Sequence, residues 1–182
     1  MGARFKGIRG DKLLSVLETD RLVLRMMSSE DSEFMLELLN DPSWIRFISD
    51  RNAKTVEDAK DYIVNKLIPL YERSGFGLYL TELKSDSTPI GICGLIKRDS
   101  LEDVDIGFAL LPKFRANGYA FESASAVMAY GKSVLGLSRI VAITSKENNR
   151  SVKLLEKLGF KFEKLTKLTD EGSEIMLFGA DV

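Results

Sequence analysis

The sequence predicts a single mixed α/β domain: a mainly antiparallel central sheet of about seven strands flanked by about four helices. Three observations carry that expectation. FGLYLTEL (76–83), PIGICGLIK (89–97) and VDIGFALL (104–111) each alternate apolar and other residues, and short polar turns separate them. That is the pattern of strands joined as hairpins. Segments with apolar residues at helical spacing stand before and after this run. Finally, 182 residues at 45% hydrophobic content suit one core, and neither a repeat nor a linker divides the chain.

Taken in order, residues 1–17 are basic but lack an apolar block and a small-residue cleavage site, so they read as a flexible leader before a domain at 18–182. RLVLRMM (21–27) reads as the first strand. Ser28 or Ser29 can cap a helix through SEDSEFMLELLN, where Phe34, Met35, Leu38 and Leu39 share a face. DPSW (41–44) breaks that pattern. Thr55 and Asp58 resemble a capping box and open a helix over 55–75, in which Pro69 should kink or stop the chain.

The three-strand run follows, then a helix from about Tyr119 to Leu135 with Ala120, Ala124, Val127, Met128 and Gly131 on one face. SRIVAIT (138–144) is a short buried strand. SKENNRSVKLLEKLG (145–159) is a short helix with a glycine stop, and FKFEKLTK and SEIMLF close the sheet.

Composition excludes much chemistry. With 26 basic and 27 acidic residues, no global field draws the chain to nucleic acid or to an anionic membrane. No apolar run approaches the roughly 18–20 residues of a membrane span, so the cytoplasm is the default compartment. The chain has no histidine and one cysteine, which removes Ser-His-Asp and Cys-His nucleophilic pairs and the usual zinc sites; no metal is expected. Cys93 lies in an alternating apolar stretch and reads as a core residue.

The stretch PKFRANGYAFESA (112–124) asks for another explanation. A strand running through a glycine loop into a helix leaves free N–H groups at the helix's first turn, a ready anion site. Gly118 permits close backbone approach or positive φ, Asn117 tolerates a left-handed conformation, and Ala120 keeps the first turn free of bulk. Arg115 can add a charge to a phosphate oxygen. A tight turn with nothing bound is the plain alternative. The loop is neither a P-loop nor a dinucleotide fingerprint.

Arg115-Ala116-Asn117-Gly118-Tyr119-Ala120 resembles the Q/R-x-x-G-x-G/A motif of the GNAT acetyltransferases, in the place where that family carries it. NNRSVKLLEKLGF (148–160) is similar to the family's N-x-x-A/S-x-x-L-Y/L-E-K-x-G-F segment. ETDRLVLR and NDPSW resemble the RimJ/RimL-like branch, which modifies protein N-termini.

The resemblance covers about residues 18–180 and implies an acetyl-CoA cosubstrate whose pantetheine arm enters between two splayed strands. Backbone groups of Phe108, Ala109 and Leu110 would pair with the arm. The N–H groups from Arg115, Ala116, Asn117, Gly118 and Tyr119 to Ala120 would hold the pyrophosphate. Asn148 would hydrogen-bond the arm further in, or cap a helix, or do both.

The family's frequent proton-donating tyrosine falls at Leu155, which has no donor, so that role does not carry over. Ser151 matches the serine that the N-terminal acetyltransferase branch uses near the thiolate; its hydroxyl can donate to sulfur. Asp105 is the best-placed base by sequence, with a solvated strand edge as the plain alternative, and alternation puts Asp103 on its face. Glu82 is an outside candidate.

Three functions follow: an N-acetyltransferase acting on a protein N-terminus or an amine-bearing small molecule, a catalytically silent acyl-CoA-binding domain, or a nucleotide-phosphate binder of another fold. Trp44, Ile45, Phe47 and Ile48 line an acceptor pocket, form a dimer contact or belong to the core, and the state is a monomer or homodimer.

Overall fold

The computed structural model describes residues 15–182. Eight strands form one sheet: β1 (Ser15–Glu18), β2 (Leu22–Arg25), β3 (Leu78–Leu83), β4 (Pro89–Ile96), β5 (Val104–Leu110), β6 (Arg139–Thr144), β7 (Lys161–Thr166) and β8 (Ile175–Asp181), in the order β1-β2-β3-β4-β5-β6-β8-β7. Every neighbouring pair is antiparallel except β5–β6, which is parallel. The mixed, mainly antiparallel α/β sheet is therefore as expected, with one strand more than about seven. The extra strand is β1. Most of the expected leader lies outside the described residues, but Ser15 and Leu17 pair with Arg25 and Leu24 of β2, with a register shift between them.

The helices are α1 (Ser32–Leu39), α2 (Pro42–Phe47), α3 (Val56–Tyr62), α4 (Ile68–Ser74), α5 (Tyr119–Ser133) and α6 (Asn149–Lys157). Two departures from the sequence reading have local causes. DPSW does not merely break a helix. Asp41 accepts from the N–H groups of Ser43 (3.0 Å) and Trp44 (3.2 Å), and Pro42 occupies the first turn, so the same residues start α2.

The helix expected over 55–75 is divided. Thr55 and Asp58 close their capping box, but Pro69 offers no amide to Asn65, and the chain takes a wider π-helical turn over Ile63–Leu67 before α4.

The sheet separates two cores. On one face α5 packs on β4 and β5, burying Ala124 and Val127 among Leu95, Val104, Ile106 and Leu110. Gly131 lets α5 approach closely, since a Cβ there would lie 3.0 Å from Ile140 Cδ1. On the other face α1–α4 bury Phe34, Met35, Leu38, Trp44, Ala59 and Ile63 against Leu78, Leu80 and Ile92. Trp44 is thus core, whereas Ile45 and Ile48 of the same segment are exposed. Cys93 is fully buried, and burial pushes its thiol up to about 12, which leaves no thiolate to act as a nucleophile.

Candidate active site

The ladder between β5 and β6 stops almost as it starts. Only Val104↔Ile140 and Asp105↔Val141 pair, while β5 runs on to Leu110 and β6 to Thr144. The two strands part and leave backbone groups without a neighbour, a situation a strand normally avoids.

Which groups face the opening follows from the other edge of β5. The β4–β5 ladder has no bulge, and the Leu111 N–H donates to the Ile90 carbonyl at 2.9 Å. By alternation, Gly107 and Ala109 turn their backbone groups to β4, and Phe108 and Leu110 turn theirs to the gap. Ala109, expected to pair with a bound arm, has its polar groups committed to β4. The Leu110 carbonyl is also engaged, accepting from Arg115 Nε at 2.8 Å. Phe108 N–H and C=O and Leu110 N–H remain for an incoming strand-like ligand.

The loop beyond β5 ends at the start of α5. Ala116 and Gly118 both have positive φ (63° and 82°), and Gly118 is the N-cap residue with no side-chain cap. The N–H groups of the first turn of this fifteen-residue helix therefore have no side-chain partner and point out of the loop with the positive end of the helix dipole. Tyr119 and Ala120 supply two of them, and the exposed Asn117 folds its Nδ2 onto the Arg115 carbonyl at 3.0 Å.

Arg115 itself does not do what its charge suggests. Its guanidinium reaches back to Asp41 Oδ1 (2.6 Å), Ser43 Oγ (2.9 Å) and the Leu110 carbonyl. Asp41 is almost wholly buried and needs a cation, so Arg115 is held inward and ties the loop to the N-terminus of α2.

The cation that does border the loop is Arg21, at the entry to β2. It donates to the Asn117 carbonyl (3.1 Å), pairs with Glu122 (2.6 Å) and lies 4.5 Å from the centroid of the Tyr119 ring. Sequence reasoning missed it, because nothing local links residue 21 to a loop almost a hundred positions on.

Across the gap, Asn148 caps α6, accepting from the Ser151 N–H at 3.2 Å. The cap role is therefore real, and it leaves the Nδ2 of Asn148 free of any hydrogen bond among the described residues. The Ser151 side chain is half-buried, and its hydroxyl makes no hydrogen bond among the described residues. Leu155, one turn further along α6, is buried in the core.

Asp105 corrects the solvated-edge reading. It sits on the last rung before the strands part, 1% exposed, with Oδ2 on Arg98 Nε at 2.6 Å and Oδ1 without a hydrogen-bond partner. Burial pushes its carboxyl up to about 6, against the opposing pull of the Arg98 charge and, less strongly, of the Ile143 N–H. Asp103 serves elsewhere, pairing with Arg139 at 2.9 Å. Glu82 is committed to Arg25 at 2.7 Å, on a strand that β4 separates from β5. Among the described residues no group of three or more histidine, cysteine or acidic side chains could hold a metal ion.

Residues 21–161 match the family described as Acetyltransferase (GNAT) domain. The chain is 32% identical over 153 residues to the uncharacterized N-acetyltransferase YoaA of Bacillus subtilis, covering 83% of this chain and 85% of that protein. It is 24% identical over 141 residues to the spermidine N(1)-acetyltransferase of Escherichia coli K12, covering 77% of this chain and 73% of that protein. Of solved structures, RimL, a ribosomal L7/L12 α-N-protein acetyltransferase, superposes with a TM-score of 0.80 at 16% identity, covering 97% of this chain and 99% of that one. An acetyltransferase from Agrobacterium tumefaciens superposes with a TM-score of 0.78 at 19% identity, covering 96% and 99%. These structural likenesses show the shared fold, and RimL has also been solved with coenzyme A.

Proposed function

Because the chain belongs to the GNAT acetyltransferase family, with RimL and other ribosomal-protein acetyltransferases among its structural neighbours, we propose that it moves the acetyl group of acetyl-CoA to a primary amine by direct attack on the thioester. One observation carries the reading: the β5–β6 ladder ends at Asp105, and the free edge it leaves runs straight to the uncapped first turn of α5. An extended amide-bearing arm fits the edge as an added strand, and a pyrophosphate fits the helix terminus.

The residues divide the work. Phe108 and Leu110 pair with the arm, and the N–H groups around Gly118, Tyr119 and Ala120 hold the pyrophosphate. Asp105, at the apex, accepts the proton that the amine nitrogen releases as it bonds to the thioester carbon. The carbon–sulfur bond breaks, the Ser151 hydroxyl donates a hydrogen bond to the departing thiolate, and the proton taken up by Asp105 is passed on through solvent to the sulfur, leaving free CoA thiol and an N-acetyl product. An α-amino group with a pKa near 8 is already partly neutral, so a carboxylate with a pKa raised toward neutrality suffices as base.

Leu155 favours a second reading, a silent acyl-CoA binder, because it leaves the family's usual donor position without a proton. Thiol release from acetyl-CoA, measured with free amino acids, simple amines and N-terminal peptides, separates the two. The transferase reading expects release that depends on an added amine and equals the N-acetyl product formed. CoA binding with no release for any amine would leave the silent binder.

A further inference from the structure

The start of α5, where a pyrophosphate would rest, has an acid beside it. Glu122 stands in the first turn of that helix, and its charge opposes a second anion on the neighbouring N–H groups. Burial pushes its carboxyl up, but hydrogen bonds from Thr19 and Arg21 outweigh that and hold it below the usual carboxylate range, so the charge is present. Both its oxygens are committed to the chain just before β2. Oε1 accepts from the Thr19 hydroxyl at 2.5 Å and the Arg21 N–H at 3.0 Å, and Oε2 accepts from Arg21 Nε at 2.7 Å. Thr19 is itself fixed, its hydroxyl oxygen accepting from the Leu22 N–H at 3.0 Å. Glu122 thus anchors Arg21.

The far end of the guanidinium grips the loop. Nη1 of Arg21 donates to the Asn117 carbonyl at 3.1 Å. In a trans peptide the C=O and the following N–H point in opposite directions. Holding the Asn117 carbonyl toward Arg21 therefore turns the Gly118 N–H away from it, and that N–H makes no hydrogen bond among the described residues. Glycine at 118 makes this peptide easy to flip, since it takes either sign of φ. A flip would put an acceptor, the Asn117 carbonyl, where the Gly118 donor stands.

We propose that Arg21 is a positioning residue for acetyl-CoA: anchored by Glu122, it locks the Asn117–Gly118 peptide so that the Gly118 N–H faces the pyrophosphate. This deepens the reading of the loop as the pyrophosphate site and rests on it. Arg21 acts through the peptide and not as a phosphate ligand. Its Nε and Nη2 lie on Glu122, its Nη1 on a carbonyl, and its guanidinium carbon 4.5 Å from the centroid of the Tyr119 ring. The task needs a planar fork that spans two acceptors at once, which an ammonium lacks.

The test measures Kd by titration calorimetry for CoA and for dephospho-CoA, which keeps the pyrophosphate and lacks the 3′-phosphate. The proteins are the parent, Arg21→Gln, Arg21→Lys and Glu122→Gln. The Arg21 side chain is 48% exposed, so the fold should not depend on the pair, and unliganded melting curves check that. Arg21→Gln should weaken both ligands by about tenfold, the scale of one misdirected hydrogen bond to a charged group. Arg21→Lys should recover little of that. Glu122→Gln gives opposite signs for the two possible roles, and it decides between them even if Arg21→Gln fails to fold. It removes a negative charge from the anion site but also frees Arg21, so a positioning Arg21 requires weaker CoA binding and a direct phosphate contact requires tighter. Unchanged affinity in Arg21→Gln, full recovery in Arg21→Lys, tighter or equal binding in Glu122→Gln, or a loss seen with CoA and not with dephospho-CoA would overturn the positioning role alone. A parent that binds no CoA would overturn it together with the loop's assignment.

Discussion

Gly118→Val is expected to abolish the rise in melting temperature that CoA gives the parent protein. Gly118 holds a φ of +82° at the N-cap of α5, a region that a β-branched residue enters only with strain. A Cβ there would also lie 3.3 Å from Arg21 Nη2, so valine crowds the side chain that orders the loop as well as the path to the N–H groups. A ligand at a hundred times its Kd stabilises a fold by about 2.7 kcal/mol. For a domain of this size that is a shift on the order of 5–10 °C. The glycine is exposed, so the variant should fold, and its unliganded melting curve checks that. An equal CoA shift in variant and parent would contradict the loop's role.

Asp105→Asn is expected to lower kcat by about 10²-fold or more while leaving the fold intact. The pH dependence makes this specific. With a folded pKa raised to about 6, Asp105 loses its proton as pH climbs through about 6, and the acceptor amine loses its own near 8. The parent's log kcat/KM should therefore rise with slope two below about 6 and slope one between about 6 and 8. The asparagine variant should keep only the amine's limb.

Stability should move the other way. A carboxyl whose folded pKa lies above its unfolded value contributes stability at low pH that is lost as pH rises through the folded pKa. At pH 8 the buried charge of Asp105 is thus a cost, and Arg98 can turn to water once the carboxylate is gone. Asp105→Asn should melt at the parent's temperature or higher at pH 8. A variant that loses activity only because it unfolds, or that keeps the limb near 6, would show that Asp105 is structural.

Much of the fold could be read from periodicity. The three-strand run, the small-residue face of α5 and the glycine loop with its αL residue all depend on neighbours within a few positions. What escaped depends on distant partners or on competing local signals. DPSW carries both a breaker and an N-cap; the Asp41 cap and Pro42 in the first turn start the helix, and Trp44 packs it into the core. Arg115 looks like a phosphate ligand until Asp41, 74 positions away, claims it. Asp105 looks solvated because aspartate usually is; its burial and its pairing with Arg98 at 2.6 Å are not revealed by alternation alone. The frame of the site was legible in the sequence, and its charge pairing was not.

The most direct test of the central claim is amide hydrogen exchange with and without CoA, read residue by residue along β5 and the loop that follows. The gap-facing amides of Phe108 and Leu110 and those of Gly118, Tyr119 and Ala120 should slow markedly when CoA binds. The Ala109 amide, turned to β4, should change little. Protection that appears at Ala109 equally, or falls outside β5 and the start of α5, would contradict the assignment of this gap as the acetyl-CoA site.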